Sequence, residues 1–166
     1  MSLERTMITF NRGDECFNFR IAGIAIDNNH ILLHRSAEDA FWTCPGGRAE
    51  IGETTSQTLI REIKEELNED IEIVRLLWVV ENFFEYAQKD YHEIAFYFLM
   101  KLPKRSLYLA KEKSFSSVEE NTVLEFRWFP IDSDVLTRLP LLPAFLQQSL
   151  SNLPNSVERV VERALN

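Results

Sequence analysis

The sequence predicts a layered domain of the mixed α/β or α+β type. Three observations lead there. Strand-like segments lie on both sides of one strongly patterned helix, a second helix is signalled late, and no repeat, low-complexity tract or Gly/Ser-rich linker divides the 166 residues. A chain of that length can bury a real hydrophobic core, and residues 1–166 read as a single domain. Apolar content of 45% and charged content of 27% are ordinary for a globular protein.

Taken in order, Phe17 to Ile26 is rich in β-branched and aromatic residues and reads as a strand. Asp27-Asn28-Asn29 is a turn signal, and Ile31 to His34 reads as the return strand of a hairpin. Cys44-Pro45-Gly46-Gly47 is a strong break, and a permissive backbone position returns at Gly52. Thr54 is the expected N-cap of a helix, and Thr54 with Gln57 has the spacing of a capping box. The helical pattern runs to about Leu67, with Leu59, Ile60, Ile63 and Leu67 expected on one apolar face and Asn68 at the end. Ile71 to Phe84 reads as a long buried strand and Tyr91 to Lys101 as another, with Ala87 to Asp90 as the turn between them. Val123 to Ile131 is a further strand. Asp132 or Ser133 is placed to cap a short helix, and Pro143 to Leu150 suggests a last one. The tail Val157 to Leu165 suits either helix or strand. The start Met1-Ser2-Leu3 reads in part as an addition to the natural chain.

Composition excludes several function classes. The two cysteines, Cys16 and Cys44, are too few for a disulfide framework and form no CxxC pair, so a reducing cytoplasm is the expected compartment. No stretch approaches the roughly 18 apolar residues of a membrane helix, and the N-terminus lacks a signal-peptide core. A net charge of -8 argues against a long nucleic acid as partner. A small phosphorylated ligand is compatible with it, because a cation can bridge an acidic site to an anion.

The chemistry concentrates between Gly47 and Leu67. At roughly 100° per residue, Glu62, Glu65 and Glu66 share one face of the helix, beside the apolar one. Glu62 and Glu66 form an i,i+4 like-charge pair, which destabilises a helix unless a cation lies between them. Carboxylate oxygens are the ligands Mg²⁺ prefers, and Mg²⁺ also takes up substrate phosphates. An acidic row alone is usually a solvated face. Here a Gly-Gly break and Glu53 precede it, and Arg61 supplies a counter-charge beside it.

This stretch resembles the Nudix hydrolase family. The family box has a glycine, five residues, a glutamate, seven residues, then Arg-Glu, an aliphatic, any residue, Glu-Glu, any residue, Gly and an aliphatic. Gly47 begins it, Glu53 takes the first acidic position, and Arg61-Glu62-Ile63-Lys64-Glu65-Glu66-Leu67 follows at the family spacing. Trp42-Thr43-Cys44-Pro45-Gly46-Gly47 is similar to the usual lead-in. The box covers about a seventh of the chain. Asn68 stands where the family has its last glycine, and Glu69 where it has an aliphatic. Asn is the next best residue in a left-handed helix end, and no carboxylate is lost.

The resemblance implies an α/β/α sandwich with a mixed sheet and a catalytic helix. It also implies hydrolysis of a diphosphate linkage in a nucleoside diphosphate joined to another moiety, with Mg²⁺ as cofactor and Mn²⁺ as a substitute. By the same resemblance Glu62, Glu65 and Glu66 bind metal, Gly46 offers a backbone carbonyl ligand, and Arg61 orients the carboxylates through Glu53. A further carboxylate is expected from the loop before the strand of Trp128, with Glu120 favoured over Glu119 and Glu125 as competitor. A homodimer is common among resembling proteins. Two other readings share the fold: a non-enzymatic ligand sensor, which would be expected to lose box carboxylates, and an enzyme acting on a non-nucleotide or prenyl diphosphate.

Other signals are weaker. His92-Glu93 lacks a second histidine three residues after Glu93, so no zinc-protease motif exists and His92 reads as structural. His30 and His34 read as surface residues. Most of Phe83, Phe84, Tyr86, Tyr91, Phe96 and Tyr97 are expected in the core. Cys44 reads as a buried spectator thiol.

Overall fold

Turn chemistry and alternating apolar residues build a sheet that carries helices on both faces. The computed structural model describes residues 4–164. The Met1-Ser2-Leu3 start and the Leu165 end of the tail lie outside them. Strands β1 (Thr9–Arg12), β2 (Glu15–Asp27), β3 (His30–Ser36) and β4 (Gly46–Arg48) lead into helix α1 (Thr55–Leu67). Strands β5 (Glu72–Tyr86) and β6 (Lys89–Lys101) follow, then a 3₁₀ turn at Leu107–Leu109. Strands β7 (Phe115–Glu119) and β8 (Thr122–Pro130), helices α2 (Ser133–Arg138) and α3 (Leu146–Ser149), and strand β9 (Glu158–Arg163) complete the chain.

The sheet order is β7-β8-β3-β2-β6-β5-β9, with β1 and β4 also pairing along β2. Pairing is parallel for β2 with β6 and for β5 with β9, and antiparallel elsewhere, so the sheet is mixed. Asn28 and Asn29 turn the β2–β3 hairpin with φ of 47° and 56°. Ala87 and Gln88 do the same between β5 and β6, at 50° and 64°, a tighter turn than the four residues Ala87 to Asp90 suggested. Two successive positive φ values match the right-handed twist of the flanking strands.

Period-two alternation sends successive residues to opposite faces. On one face, Leu59, Ile63 and Leu67 of α1 pack with Ile21, Ala25, Leu32, Phe98, Met100 and Phe126. On the other, Leu136 of α2 and Leu146 of α3 pack, with Leu141 and Leu150, over Ala22, Ile24, Ile31, Leu33, Trp78 and Ala95. Burying each such Leu or Ile fully contributes about 1.5–3 kcal/mol. The architecture is the expected α/β/α arrangement. No described helix is long and apolar enough to cross a membrane.

Two details differ from the sequence reading, and one that it left open is decided. Phe115–Glu119 is a strand rather than part of a loop. Its polar composition hides it, and it forms by pairing with β8 while the Ser117 hydroxyl donates to the Glu66 carbonyl of α1. The tail resolves as strand β9, added in parallel to the β5 edge. Ile60, expected on the apolar face, is 42% exposed. The buried arc of α1 is shifted toward the acidic side and comprises Thr58, Leu59, Glu62, Ile63, Glu66 and Leu67.

Both ends of α1 form as their local chemistry dictates. The Thr54 side chain accepts from the Gln57 N–H, while the Gln57 side chain accepts from the Thr54 N–H. Asn68 closes the helix in the left-handed conformation, φ 54° and ψ 32°, with its N–H donating to the Lys64 carbonyl. Asn68→Gly is therefore expected to leave the melting temperature unchanged or slightly raised. Asn68→Val should lower it clearly, since a β-branched residue resists positive φ. Equal melting temperatures for the two variants in thermal denaturation would contradict this account of the helix end.

Candidate functional site

Two glycines allow β4 to approach both β2 and α1. Gly46 has φ of 151°, and a Cβ there would sit 2.0 Å from the Ile21 carbonyl oxygen. A Cβ on Gly47 would sit 2.2 Å from the Glu62 carboxylate. The Gly-Gly break thus seats the Glu62 side chain directly against backbone.

Arg61 organises the loop that follows. Its Nε and Nη2 donate to the two Glu53 oxygens at 2.7 and 3.0 Å, its Nη1 to Glu62 at 2.6 Å, and Nη2 also to the Arg48 carbonyl at 3.1 Å. Thr58 donates to Glu53 at 2.9 Å. The Arg61 hydrogen bonds outweigh partial burial and hold the Glu53 carboxyl below the usual range. Glu62 goes the other way. Burial raises it, Arg61 opposes, and the neighbouring charges of Glu66 and Glu65 add to the rise. Arg61 meets Glu53 as the resemblance implied, and Glu62 directly as well.

Carboxylates converge beside this hub. One oxygen each of Glu62, Glu65 and Glu119 lie within 4.8 Å of one another. Glu66 is buried and, among the described residues, neither of its oxygens has a hydrogen-bond partner, which is costly for a buried carboxylate. The Glu119 carboxyl is pushed up to about 7, first by burial and then by the charges of Glu66, Glu62, Glu65 and Glu120. Glu65 is partly neutralised by Arg5, at 2.8 Å. A set of hard oxygen donors with excess negative charge suits Mg²⁺ or Mn²⁺, so the residues present fit the expected cofactor.

The β7–β8 hairpin contributes Glu119 to this cluster rather than the favoured Glu120. Ser117 and Glu119 alternate toward α1, whereas Glu120 sits in the turn with φ of 53°. Glu120 lines the adjoining cleft without joining the three oxygens. Glu125 is paired with Arg35 at 2.8 Å, as a strand residue with a basic neighbour should be.

A cleft of about 580 Å³ opens beside the carboxylates. Gly46, Gly47, Glu62, Glu66 and Glu119 line it, and so do Arg20, Phe84, Tyr86, Asn82, Glu93 and Tyr97. Phe83, Phe84, Tyr86 and Tyr91 are not core residues: each is half-buried or exposed. The β5–β6 hairpin projects past both apolar layers, which end at Val80 on the α2–α3 side and Phe96 on the α1 side. His92 stacks on Phe83 with ring centroids 4.5 Å apart, outside this cleft. Burial pushes the Cys44 thiol up to about 12, which leaves it protonated and inert.

Several participants escaped the sequence reading. His34 was expected at the surface but is buried, its Nδ1 3.5 Å from a Glu66 oxygen. Alternation from Leu32 would have pointed it at α1. Glu50 is buried and bonded to Arg5 at 2.8 Å, and Asn82 and Glu93 line the cleft. Isolated polar residues in strands carry no motif.

Comparison with known proteins agrees with this architecture. Residues 18–144 match the NUDIX domain. Over 62 residues the chain is 40% identical to "Putative ADP-ribose pyrophosphatase YjhB" of Bacillus subtilis (strain 168), a match spanning 37% of this chain and 30% of that protein. A NUDIX hydrolase from Nitrosomonas europaea superposes with a TM-score of 0.60 at 20% identity, over 89% of this chain and 79% of the other. An ADP-ribose pyrophosphatase from Streptococcus suis gives 0.56 at 16%, over 87% and 98%. A MutT NUDIX hydrolase from Burkholderia pseudomallei gives 0.57 at 24%, over 80% and 98%. At such identities the superpositions speak for the fold, and the domain match speaks for descent. With the domain match covering most of its length, this chain belongs to the Nudix hydrolase family.

Proposed function

We propose that the protein hydrolyses the diphosphate linkage of a nucleoside diphosphate joined to another group, using Mg²⁺, or Mn²⁺ in its place. The observation that carries this reading is the convergence of Glu62, Glu65 and Glu119 beside the unpartnered carboxylate of Glu66, at the edge of a cleft. When bound, the cation neutralises phosphate oxygens and lowers the pKa of water. Glu62, Glu65 and Glu66 would hold it, and the Gly46 carbonyl is a further candidate ligand. Arg61 keeps Glu53 and Glu62 in place. Water attacks phosphorus, its proton passes to a carboxylate of the set, and the bridging P–O bond breaks to release a phosphate-terminated product. Glu119 is the better candidate for that carboxylate than Glu120, because it alone of the two reaches the cluster. A ligand sensor is the weaker reading, since it has no need of the full acidic set.

A panel of diphosphate compounds, assayed for phosphate or monophosphate release with and without Mg²⁺, tests the reaction. ADP-ribose belongs first in it, given the names of two relatives. Nucleoside triphosphates and a prenyl diphosphate complete it. Release from none of them, or equal release in EDTA, would sink the proposal.

Glu66→Gln and Glu119→Gln should each lower turnover at saturating Mg²⁺ by at least about tenfold, equivalent to ~1.4 kcal/mol in the barrier. Glu120→Gln and Glu125→Gln should lose far less. A larger loss at Glu120 than at Glu119 would reverse the assignment.

Millimolar Mg²⁺ should also raise the melting temperature by mass action, about 2.7 kcal/mol of stabilisation at a hundredfold excess over Kd. Glu66→Gln should respond less. An identical shift in both proteins would place the metal elsewhere.

Without metal, Glu119 imposes a pH-dependent penalty. Its folded pKa is raised, so between about 4.5 and 7 the folded state holds more protons than the unfolded one. Stability therefore falls as pH rises through that window. In EDTA, Glu119→Gln should melt above the wild type at pH 8, and the gap should close near pH 4.5. A gap of the same size at both values would show that Glu119 does not feel its acidic neighbours.

A further inference from the structure

The cleft reaches a second group of polar side chains that plays no part in holding a metal. Glu93 on β6 stands opposite Asn82 on β5 and Asn18 on β2, and Asn82 stands opposite Glu162 on β9. The four form one row across four strands. Side chains at paired positions share a face, so the row lies on the face of Val80 and Ala95, opposite α1 and the metal-binding glutamates.

Three members are more than nine-tenths buried: Glu93 at 4%, Asn18 at 5% and Asn82 at 7% exposed. Their hydrogen-bonding capacity is largely unspent. The Asn18 amide donates to Glu93 at 2.7 Å. Among the described residues Glu93 has no other side-chain hydrogen bond and no ion pair, and the Asn82 side chain has no hydrogen bond. In this row the fully enclosed atom without a partner among the described residues is Asn18 Oδ1, whereas the Glu93 and Asn82 side chains give onto the cleft and leave their remaining capacity to what enters it. Glu93, Asn82 and Glu162 line the cleft, whereas Asn18 does not. Asn18 lies behind Glu93 and aims it.

We propose that Glu93 and Asn82 bind the end of the substrate remote from the cleaved bond, and that this end is an uncharged group with at least two neighbouring N–H or O–H donors. This rests on the hydrolase reading above and names the substrate class more closely. An ionised carboxylate only accepts, and an amide adds one acceptor and two donors. Opposed positions on paired strands put the two side chains about 5 Å apart, a span that the edge of a nucleobase or a sugar diol covers. Glu162 and Glu85 line the same cleft, and Arg20, which lines it too, already donates to the Cys44 carbonyl at 2.9 Å. Phe84, two residues beyond Asn82, gives the cleft an apolar wall. Asn18 is a positioning residue that touches Glu93 and not the ligand.

The test uses the full chain with Glu93→Gln, Asn82→Leu and Asn18→Leu. One arm compares kcat/KM for paired substrates that differ by a single donor: guanosine against inosine for the base edge, ribose against 2′-deoxyribose for the sugar. The wild type should prefer the donor-bearing member of one pair. Glu93→Gln should shrink that preference at least about tenfold, since a site built to bond a donor discriminates strongly against its absence. Asn82→Leu should do likewise, and Asn18→Leu should do so more weakly. A preference unchanged in Glu93→Gln and Asn82→Leu, or no preference in either pair, overturns the proposal.

The second arm needs no hydrolysis. In EDTA, the side-chain amide NMR signals of Asn82 and Asn18 should shift when GMP or AMP is titrated in, and the shifts should vanish in Glu93→Gln. Signals unmoved by either nucleotide overturn the proposal. Shifts in a protein that hydrolyses nothing in the panel would support this site while refuting the reaction.

Discussion

Much of this structure depends on placing carboxylates inside a helix–sheet interface. Glu62 and Glu66 occupy the buried arc of α1 alongside Leu59, Ile63 and Leu67. Removing a charge from water costs several kcal/mol unless it is paired. Arg61 answers that cost on one side by spanning Glu53, Glu62 and the Arg48 carbonyl. Among the described residues Glu66 has no such partner, and the basic group within 4.0 Å of it is the His34 ring, at 3.5 Å. The interface is therefore uneven: the Arg61 side is neutralised by protein, and the Glu66–Glu119 side, where the proposed cation would bind, is not.

That unevenness explains why the surrounding backbone is so constrained. Any side chain at Gly47 would displace the Glu62 carboxylate, and any at Gly46 would strike β2. The capping box holds the start of α1, while the left-handed Asn68 stops it before β5 begins. The Ser117 hydroxyl, bonded to the Glu66 carbonyl, ties β7 to the same helix and brings Glu119 with it. Helix, glycine lip and β7–β8 hairpin thus converge on one group of oxygens.

The sheet separates two kinds of polar chemistry. On the α1 side, charges gather where a cation can compensate them. On the other, the row from Asn18 to Glu162 offers hydrogen bonds to an uncharged group. One cleft reaches both. The net charge of -8 suits the proposed reaction, in which a cation would bridge the acidic site to an anionic substrate.

Local chemistry by itself determined a good part of this. The Thr54 cap, the Asn68 end, the Asn28-Asn29 turn and the spacing of Arg61, Glu62, Glu65 and Glu66 are set by residues within a few positions of one another. The family resemblance rests on the same short stretch. What the sequence left open is decided by pairing between distant segments. Glu119 and Glu120 differ by one residue, and in a strand one residue reverses the face; only the pairing with β8 and the bond from Ser117 choose between them. His34 is buried because β3 lies under α1. The hairpin aromatics are uncovered because the layers end before they do. Asn82 and Glu93 face one another across a register that no local pattern encodes, so tertiary structure alone brings them together.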